Sequence, residues 1–158
     1  MGIVTHSCYL RAVFDIHSAR ITVDEVHRTI IKNLAKEGEA IIAVCGNSGV
    51  GIGYPLMHKY GWPILVVRKP KESSHGYIME GTRTEMKKYI ILDDFFSTGS
   101  TVLHIISTLK DGCSDLKCIG AVFYWGTPEA KSFRDISRIP IPDEDNFPCY
   151  YTISENKL

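Results

Sequence analysis

Short apolar runs alternate with apolar stripes at helical spacing along most of this chain. Residues 40–45, Ala-Ile-Ile-Ala-Val-Cys, are continuously apolar, as in a strand covered on both faces. Residues 63–68, 89–93 and 117–124 repeat that pattern. Val23, Val26, Ile30, Ile31 and Leu34 follow a helical stripe, with a capping-box spacing at Thr22–Glu25 and a stop at Gly38. A turn at 46–49 leads into a predicted helix over 50–60, and a further helix is predicted over about 100–110. Residues 7–14 read as an early strand or an irregular apolar segment, and the tail from about residue 126 has no assignable pattern. The polar stretch 69–88 is long for a loop inside a compact domain, a length that is often functional. Strands alternating with helices predict an α/β fold with a doubly wound, mostly parallel sheet flanked by helices. One domain over 1–158 is expected, with its core at about 36–126 and the terminal segments as a small hood. In such sheets ligands bind at the C-terminal strand edge, where the Gly46 turn, the Arg68 loop and the Asp93 turn would meet.

Composition narrows the partners. Lysine plus arginine (18) balances aspartate plus glutamate (18), which argues against a broad nucleic-acid surface but leaves room for a local cationic pocket. The five cysteines are odd in number and form no Cys-x-x-Cys pair, so reduced thiols in a cytoplasmic protein are expected. No apolar run is long enough to span a membrane, and the N-terminus lacks a signal-peptide core.

The most informative segment is 89–101, Tyr-Ile-Ile-Leu-Asp-Asp-Phe-Phe-Ser-Thr-Gly-Ser-Thr. An apolar strand ends in Asp93 and Asp94, and a small hydroxyl-rich turn follows before a helix. Backbone N–H groups, hydroxyls and the positive helix end can bind a phosphate there. The acidic pair can accept hydrogen bonds from sugar hydroxyls. Together they suit a ribose 5-phosphate.

This segment resembles the phosphoribosyl-diphosphate (PRPP) motif of the type I phosphoribosyltransferases. Two further pieces agree in order. Cys45-Gly46-Asn47-Ser48-Gly49 sits where that family places its diphosphate-binding loop. Val67-Arg68-Lys69-Pro70-Lys71, followed by His75-Gly76 and Glu80-Gly81, is similar to the Arg-Lys strand end and mobile catalytic loop of the orotate branch. The resemblance covers about residues 40–125.

The resemblance implies a Mg²⁺-dependent transfer of phosphoribosyl from PRPP to a nucleobase-like acceptor, with release of diphosphate. It assigns the ribose hydroxyls to Asp93 and Asp94, and the 5′-phosphate to Ser97, Thr98, Gly99, Ser100 and Thr101. The diphosphate falls to Gly46, Asn47, Ser48, Arg68 and Lys69, and leaving-group chemistry to Lys69, Lys71 and His75. Magnesium would be held by substrate oxygens and water rather than directly by side chains. Phe95 and Phe96 would wall the base pocket or pack beneath the loop. Tyr124 and Trp125 would stack on a base or pack in the core. His58 and His104 are expected to be surface or packing residues, and Trp62 core or interface. Orotate enzymes place an arginine near the end of the strand read as 117–124; this chain has Phe123-Tyr124-Trp125-Gly126 there, which disfavours orotate. A homodimer is implied at family level. The alternatives are a non-catalytic PRPP or nucleotide sensor of the same fold and a flavodoxin-like domain unrelated to PRPP.

Overall fold

The computed structural model describes residues 11–72, 77–81, 85–125, 138–139 and 147–152. Its elements are α1 (Arg11–Phe14), α2 (Ile16–Asn33), β1 (Ile41–Cys45), α3 (Gly46–Tyr60), β2 (Ile64–Val67), β3 (Met79–Gly81), β4 (Lys88–Asp93), α4 (Ser100–Gly112), β5 (Lys117–Phe123), β6 (Arg138–Ile139) and β7 (Phe147–Tyr151). The strands run in the order β3-β2-β1-β4-β5-β7-β6. Pairings among β2, β1, β4, β5 and β7 are parallel, while β3 and β6 run antiparallel to their neighbours.

The apolar runs are continuous because both faces of the central strands are covered. On one face Ile42, Val44, Ile90, Leu92 and Val122 meet α2 and α3 through Val26, Ile30, Ile52 and Leu56. On the other, Ile41, Ala43, Tyr89, Ile91, Ala121 and Phe123 meet α4 through Val102, Ile105 and Leu109. Side chains alternate across the sheet, so one uninterrupted apolar string supplies both cores. The order of β2, β1, β4 and β5 makes the chain wind outward in opposite directions from β1 and β4. The gap between those two strands is therefore the switch point, where a crevice opens at the C-terminal edge.

Several elements differ from the sequence reading. Residues 11–14 are helical, not extended, and residues 7–10 lie outside the described residues. Helix α2 starts six residues before Thr22, at Ile16; Asp15 caps it by accepting from the Ser18 N–H at 2.8 Å. Thr22 is a buried mid-helix residue, so the capping-box spacing there is incidental. Gly38 has φ +79 but lies beyond the helix, which ends at Asn33. No separate turn precedes α3, which starts at Gly46 directly after β1. The 69–88 stretch contains β3, which folds back on β2. The tail contributes β7, which pairs with β5. Among the described residues no helix is long and apolar enough to cross a membrane.

A polar network closes the far side of α2. Trp62, fully buried, donates its indole N–H to His27 Nδ1 at 3.1 Å, and the imidazole stacks on Tyr60 with centroids 3.5 Å apart. His27 Nε2 faces Glu37 at 3.4 Å. Burial holds His27 below the ordinary imidazole range, against the opposing pull of Glu37 and Asp24 and with a smaller contribution from Lys59. Protonation would place a hydrogen on Nδ1 and displace the Trp62 bond. Because the folded pKa is depressed, this contribution is present above about pH 6.5 and is lost as pH falls through the folded value. Thermal melts should show stability declining below about pH 6.5 in the wild type, and a flatter profile in His27→Gln. Coincident profiles would show that this network does not titrate.

Candidate functional site

At the switch point a cavity of about 470 Å³ is lined from three sides. The end of β4 supplies Asp93 and Asp94, the turn into α4 supplies Phe95 through Thr101, and the start of α3 supplies Asn47 and Ser48. Lys69 and Pro70, just past β2, and His104 on α4 complete the wall.

The two carboxylates are nearly inaccessible, at 5% for Asp93 and 7% for Asp94. Asp93 Oδ1 accepts from Ser48 Oγ at 2.9 Å and from the Asp94 N–H at 3.0 Å. Asp94 Oδ1 accepts from the Phe95 N–H at 2.9 Å. These bonds fix the pair as a rigid platform. Desolvation and the neighbouring charge of Asp94 push Asp93 up to about 7. Burial also raises Asp94, against the hydrogen bonds it accepts and the charge of Lys69. Two carboxylates this close and this buried resist holding two charges without a cation or a donor-rich ligand.

Two helix N-termini converge on the same space. α3 and α4 both begin at an N-cap residue that makes no side-chain cap bond, so first-turn N–H groups other than that of Ser100 are available to an anion. α4 is preceded by Gly99 at φ +80, a conformation glycine adopts without strain. A Cβ there would stand 2.8 Å from Phe96 Cζ, so the ring supports the turn from below. Thr98 Oγ1 donates to Ser100 Oγ at 3.0 Å and accepts from the Ser100 N–H at 3.3 Å, which shapes the turn from within. At the α3 terminus, Gly46 has φ +69, and a Cβ there would stand 2.7 Å from Lys69 Cε and 3.3 Å from Lys69 Nζ. The Lys69 ammonium thus lies over that helix start.

The structure brings together Asn47, Ser48, Lys69, Asp93, Asp94, Phe95 and the residues from Ser97 to Thr101. Gly46 starts the helix that points into the cavity. Arg68 is not among the lining residues; its guanidinium pairs with Glu80 on β3, away from the carboxylates. Lys71 is exposed in a turn with φ +73, an uncommon backbone state for a side-chain-bearing residue, and does not line the cavity. His75 lies outside the described residues. Phe95 and Phe96 both line the cavity, and Phe96 also packs beneath the loop, edge-on to Phe123 with centroids 5.9 Å apart.

Tyr124 is a core residue rather than a platform for a base. It is fully buried, and its hydroxyl donates to the Ser48 carbonyl at 2.9 Å. Burial and the two aspartates push its phenol well above the ordinary range. Trp125 is half-buried against the α2–α3 core. The sequence suggested Tyr124 only as a base-stacking or core residue and His104 only as a surface or packing residue; the structure gives both a contact at the site. Tyr124 ties β5 to the first turn of α3, and no motif marks that contact. His104 does leave a trace, since it lies one helical turn after Thr101 and therefore on the same face.

Among the described residues no group of three or more metal-ligating side chains occurs. Two carboxylates facing two helix N-termini instead suit a ligand that brings hydroxyls and phosphates together. A hard cation fits between such groups through ligand oxygens and water.

No known family profile matches the sequence. The chain is similar to the orotate phosphoribosyltransferase of Bacillus pumilus, 29% identical over 105 residues that make up 66% of this chain and 50% of the relative. That of Streptococcus gordonii is 31% identical over 97 residues, 60% of this chain and 46% of the relative. The chain thus spans about half the length of the curated relatives it matches. Among solved structures, adenine phosphoribosyltransferase from Saccharomyces cerevisiae, complexed with an imino-altritol bisphosphate and adenine, superposes with a TM-score of 0.65 at 15% identity. That match covers 96% of this chain and 88% of the other. Mycobacterium tuberculosis orotate phosphoribosyltransferase in complex with PRPP gives 0.57 at 15%, covering 72% and 63%. The fold is that of the type I phosphoribosyltransferases, as the sequence resemblance implied.

Proposed function

We propose that this chain, which has the type I phosphoribosyltransferase fold, transfers phosphoribosyl from PRPP to a nucleobase-like acceptor and releases diphosphate. The observation that carries the reading is the pairing of two buried carboxylates with two uncapped helix N-termini around one cavity. Asp93 and Asp94 accept hydrogen bonds from the ribose 2′- and 3′-hydroxyls. The turn from Ser97 to Thr101 and the start of α4 hold the 5′-phosphate. The start of α3, at Gly46, Asn47 and Ser48, together with Lys69, holds the diphosphate. As the C1–O bond breaks, its electron pair leaves with the diphosphate while the acceptor nitrogen forms the new bond to C1 on the opposite face and loses its proton. Positive charge growing on the sugar faces the carboxylates, and negative charge growing on the diphosphate faces Lys69 and the helix end, so stabilisation is electrostatic and largely preorganised. Bound Mg²⁺ would neutralise diphosphate charge and make it a better leaving group.

The similarity to orotate enzymes favours orotate as acceptor, whereas the absence of an arginine in Phe123–Trp125 disfavours it. The reading therefore commits to a nucleobase-like acceptor and to PRPP as donor. Calorimetry with PRPP and Mg²⁺, followed by diphosphate release across orotate, uracil, adenine, guanine, hypoxanthine, xanthine and nicotinic acid, tests it. Turnover with one base is the expected result. PRPP binding without turnover on any base would make the chain a sensor of this fold, a reading favoured by the capture of Arg68 by Glu80. No PRPP binding at all would sink both. The homodimer belongs to the same reading, and sedimentation of the purified chain decides it.

A further inference from the structure

We infer that His104 is a positioning residue: it ties α4 to the peptide that carries Lys69 and so keeps Lys69 over the diphosphate end of the cavity. The inference rests on the PRPP-transfer reading above. His104 lines the cavity with Lys69 and Asp94, and its Nε2 stands 2.7 Å from the Arg68 carbonyl oxygen. A carbonyl only accepts, so Nε2 carries the hydrogen in this contact.

Arg68 is held at its other points too. Its N–H donates to the Ile78 carbonyl at 2.9 Å, and its guanidinium pairs with Glu80. The peptide joining Arg68 to Lys69 is thus the last one fixed by the sheet before the chain turns, with Glu72 N–H donating to the Lys69 carbonyl at 2.9 Å and Lys71 at φ +73. From that peptide the Lys69 side chain runs back over Gly46, with Nζ 3.3 Å from where a Cβ at Gly46 would stand. Neither hairpin bond to Arg68 fixes the plane of its carbonyl; His104 does. Without that donor the peptide plane can rotate, and Lys69 samples directions other than the α3 terminus. The turn at Ser97–Ser100 is shaped by Thr98, Ser100 and the Phe96 ring beneath it, so the 5′-phosphate end does not depend on His104. The effect of losing His104 is therefore confined to the diphosphate end.

Ribose 5-phosphate shares the sugar and the 5′-phosphate with PRPP but lacks the diphosphate, which gives the test its contrast. Calorimetric dissociation constants for both ligands, with Mg²⁺, are measured on the wild type, His104→Leu and His104→Gln. The leucine variant keeps the volume and removes the donor; the glutamine amide can still donate. Loss of one hydrogen bond acting on a charged contact should weaken PRPP about tenfold in His104→Leu. Ribose 5-phosphate should stay within about twofold, and His104→Gln should recover most of the loss. In a Lys69→Ala background, His104→Leu should cause no further loss. Equal weakening of both ligands, unchanged PRPP affinity in His104→Leu, or full additivity with Lys69→Ala overturns the inference and leaves the transfer reading standing. A wild-type protein that binds PRPP no better than ribose 5-phosphate overturns the transfer reading, and this inference with it.

Discussion

Asp93→Asn should make the ligand-free protein more stable at about pH 8 and at the same time nearly abolish its use of PRPP. The folded protein holds the Asp93 carboxyl up to about 7, whereas the unfolded chain releases that proton near the ordinary value of 3.8. Between those values the folded state binds the extra proton. The contribution of Asp93 to stability is thus fully present below the ordinary pKa and is lost as pH rises through 7. Above that, two buried charges face one another. Asparagine carries none, and its Oδ1 can still accept from Ser48 Oγ and the Asp94 N–H, the two bonds that shape the platform. A gain of about 1–2 kcal/mol, or roughly 2–8 °C in melting temperature, is expected at about pH 8, shrinking towards zero near pH 4. With the charge goes the charge-assisted acceptor for a ribose hydroxyl and half of the field that favours a cationic sugar. Turnover should therefore fall by at least about a hundredfold. Melting curves at the two pH values and steady-state rates check both halves. An unchanged melting temperature at high pH would refute the electrostatic account of the pair; undiminished PRPP turnover would refute its catalytic one.

The second large effect is expected at Gly49. α3 lies so close to the sheet here that a Cβ would stand 2.9 Å from Val44 Cβ and 3.0 Å from the Leu92 carbonyl oxygen. Neither can swing aside, since one is held on β1 and the other is backbone of β4. Gly49→Ala should push the first turn of α3 off the sheet at a cost of about 2–4 kcal/mol, or roughly 4–15 °C. The same displacement carries Ser48 away from Asp93, so PRPP affinity should drop even where the variant is fully folded. Gly38→Ala is the informative control. Gly38 has φ +79 but open space around it, so only the left-handed backbone is penalised, by about 1–2 kcal/mol and without effect on binding. If the two variants melt alike, close helix–sheet packing is not what Gly49 provides.

The parts of this fold that sequence pattern reveals are those whose environment is the same on every side. β1, β2, β4 and β5 are read correctly because Ile41–Cys45, for instance, is buried at every position, and an unbroken apolar run has few other uses. α4 follows from its own periodicity after a glycine turn. The acidic pair and the glycine turn that follows it were legible for a different reason: the chemistry proposed for them needs backbone and side chains in one short segment. What depended on distant partners was not legible. β3 is a polar edge strand whose only cue is its partner β2, and β7 comes after a stretch rich in proline and aspartate. The true start of α2 relies on Asp15, while Thr22–Glu25 offered a better-looking cap that the tertiary packing of Val23 and Val26 overrides. Tyr124 and His104 act through bonds spanning 76 and 36 residues, and no local spacing reports such contacts.

β7 gives the sheet a property that only time reveals. β5, with Phe123 against Phe96, has β4 on one side and β7 on the other, and β7 is made of residues 147–151. As the chain leaves the ribosome, everything from Gly46 to Phe123 emerges before β7, and until β7 follows, that flank of β5 is a bare row of backbone donors and acceptors beside buried apolar side chains. Such an edge recruits whatever strand is nearest. β7, the last of the described strands to appear, thus keeps the nascent sheet from pairing with its neighbours on the same message.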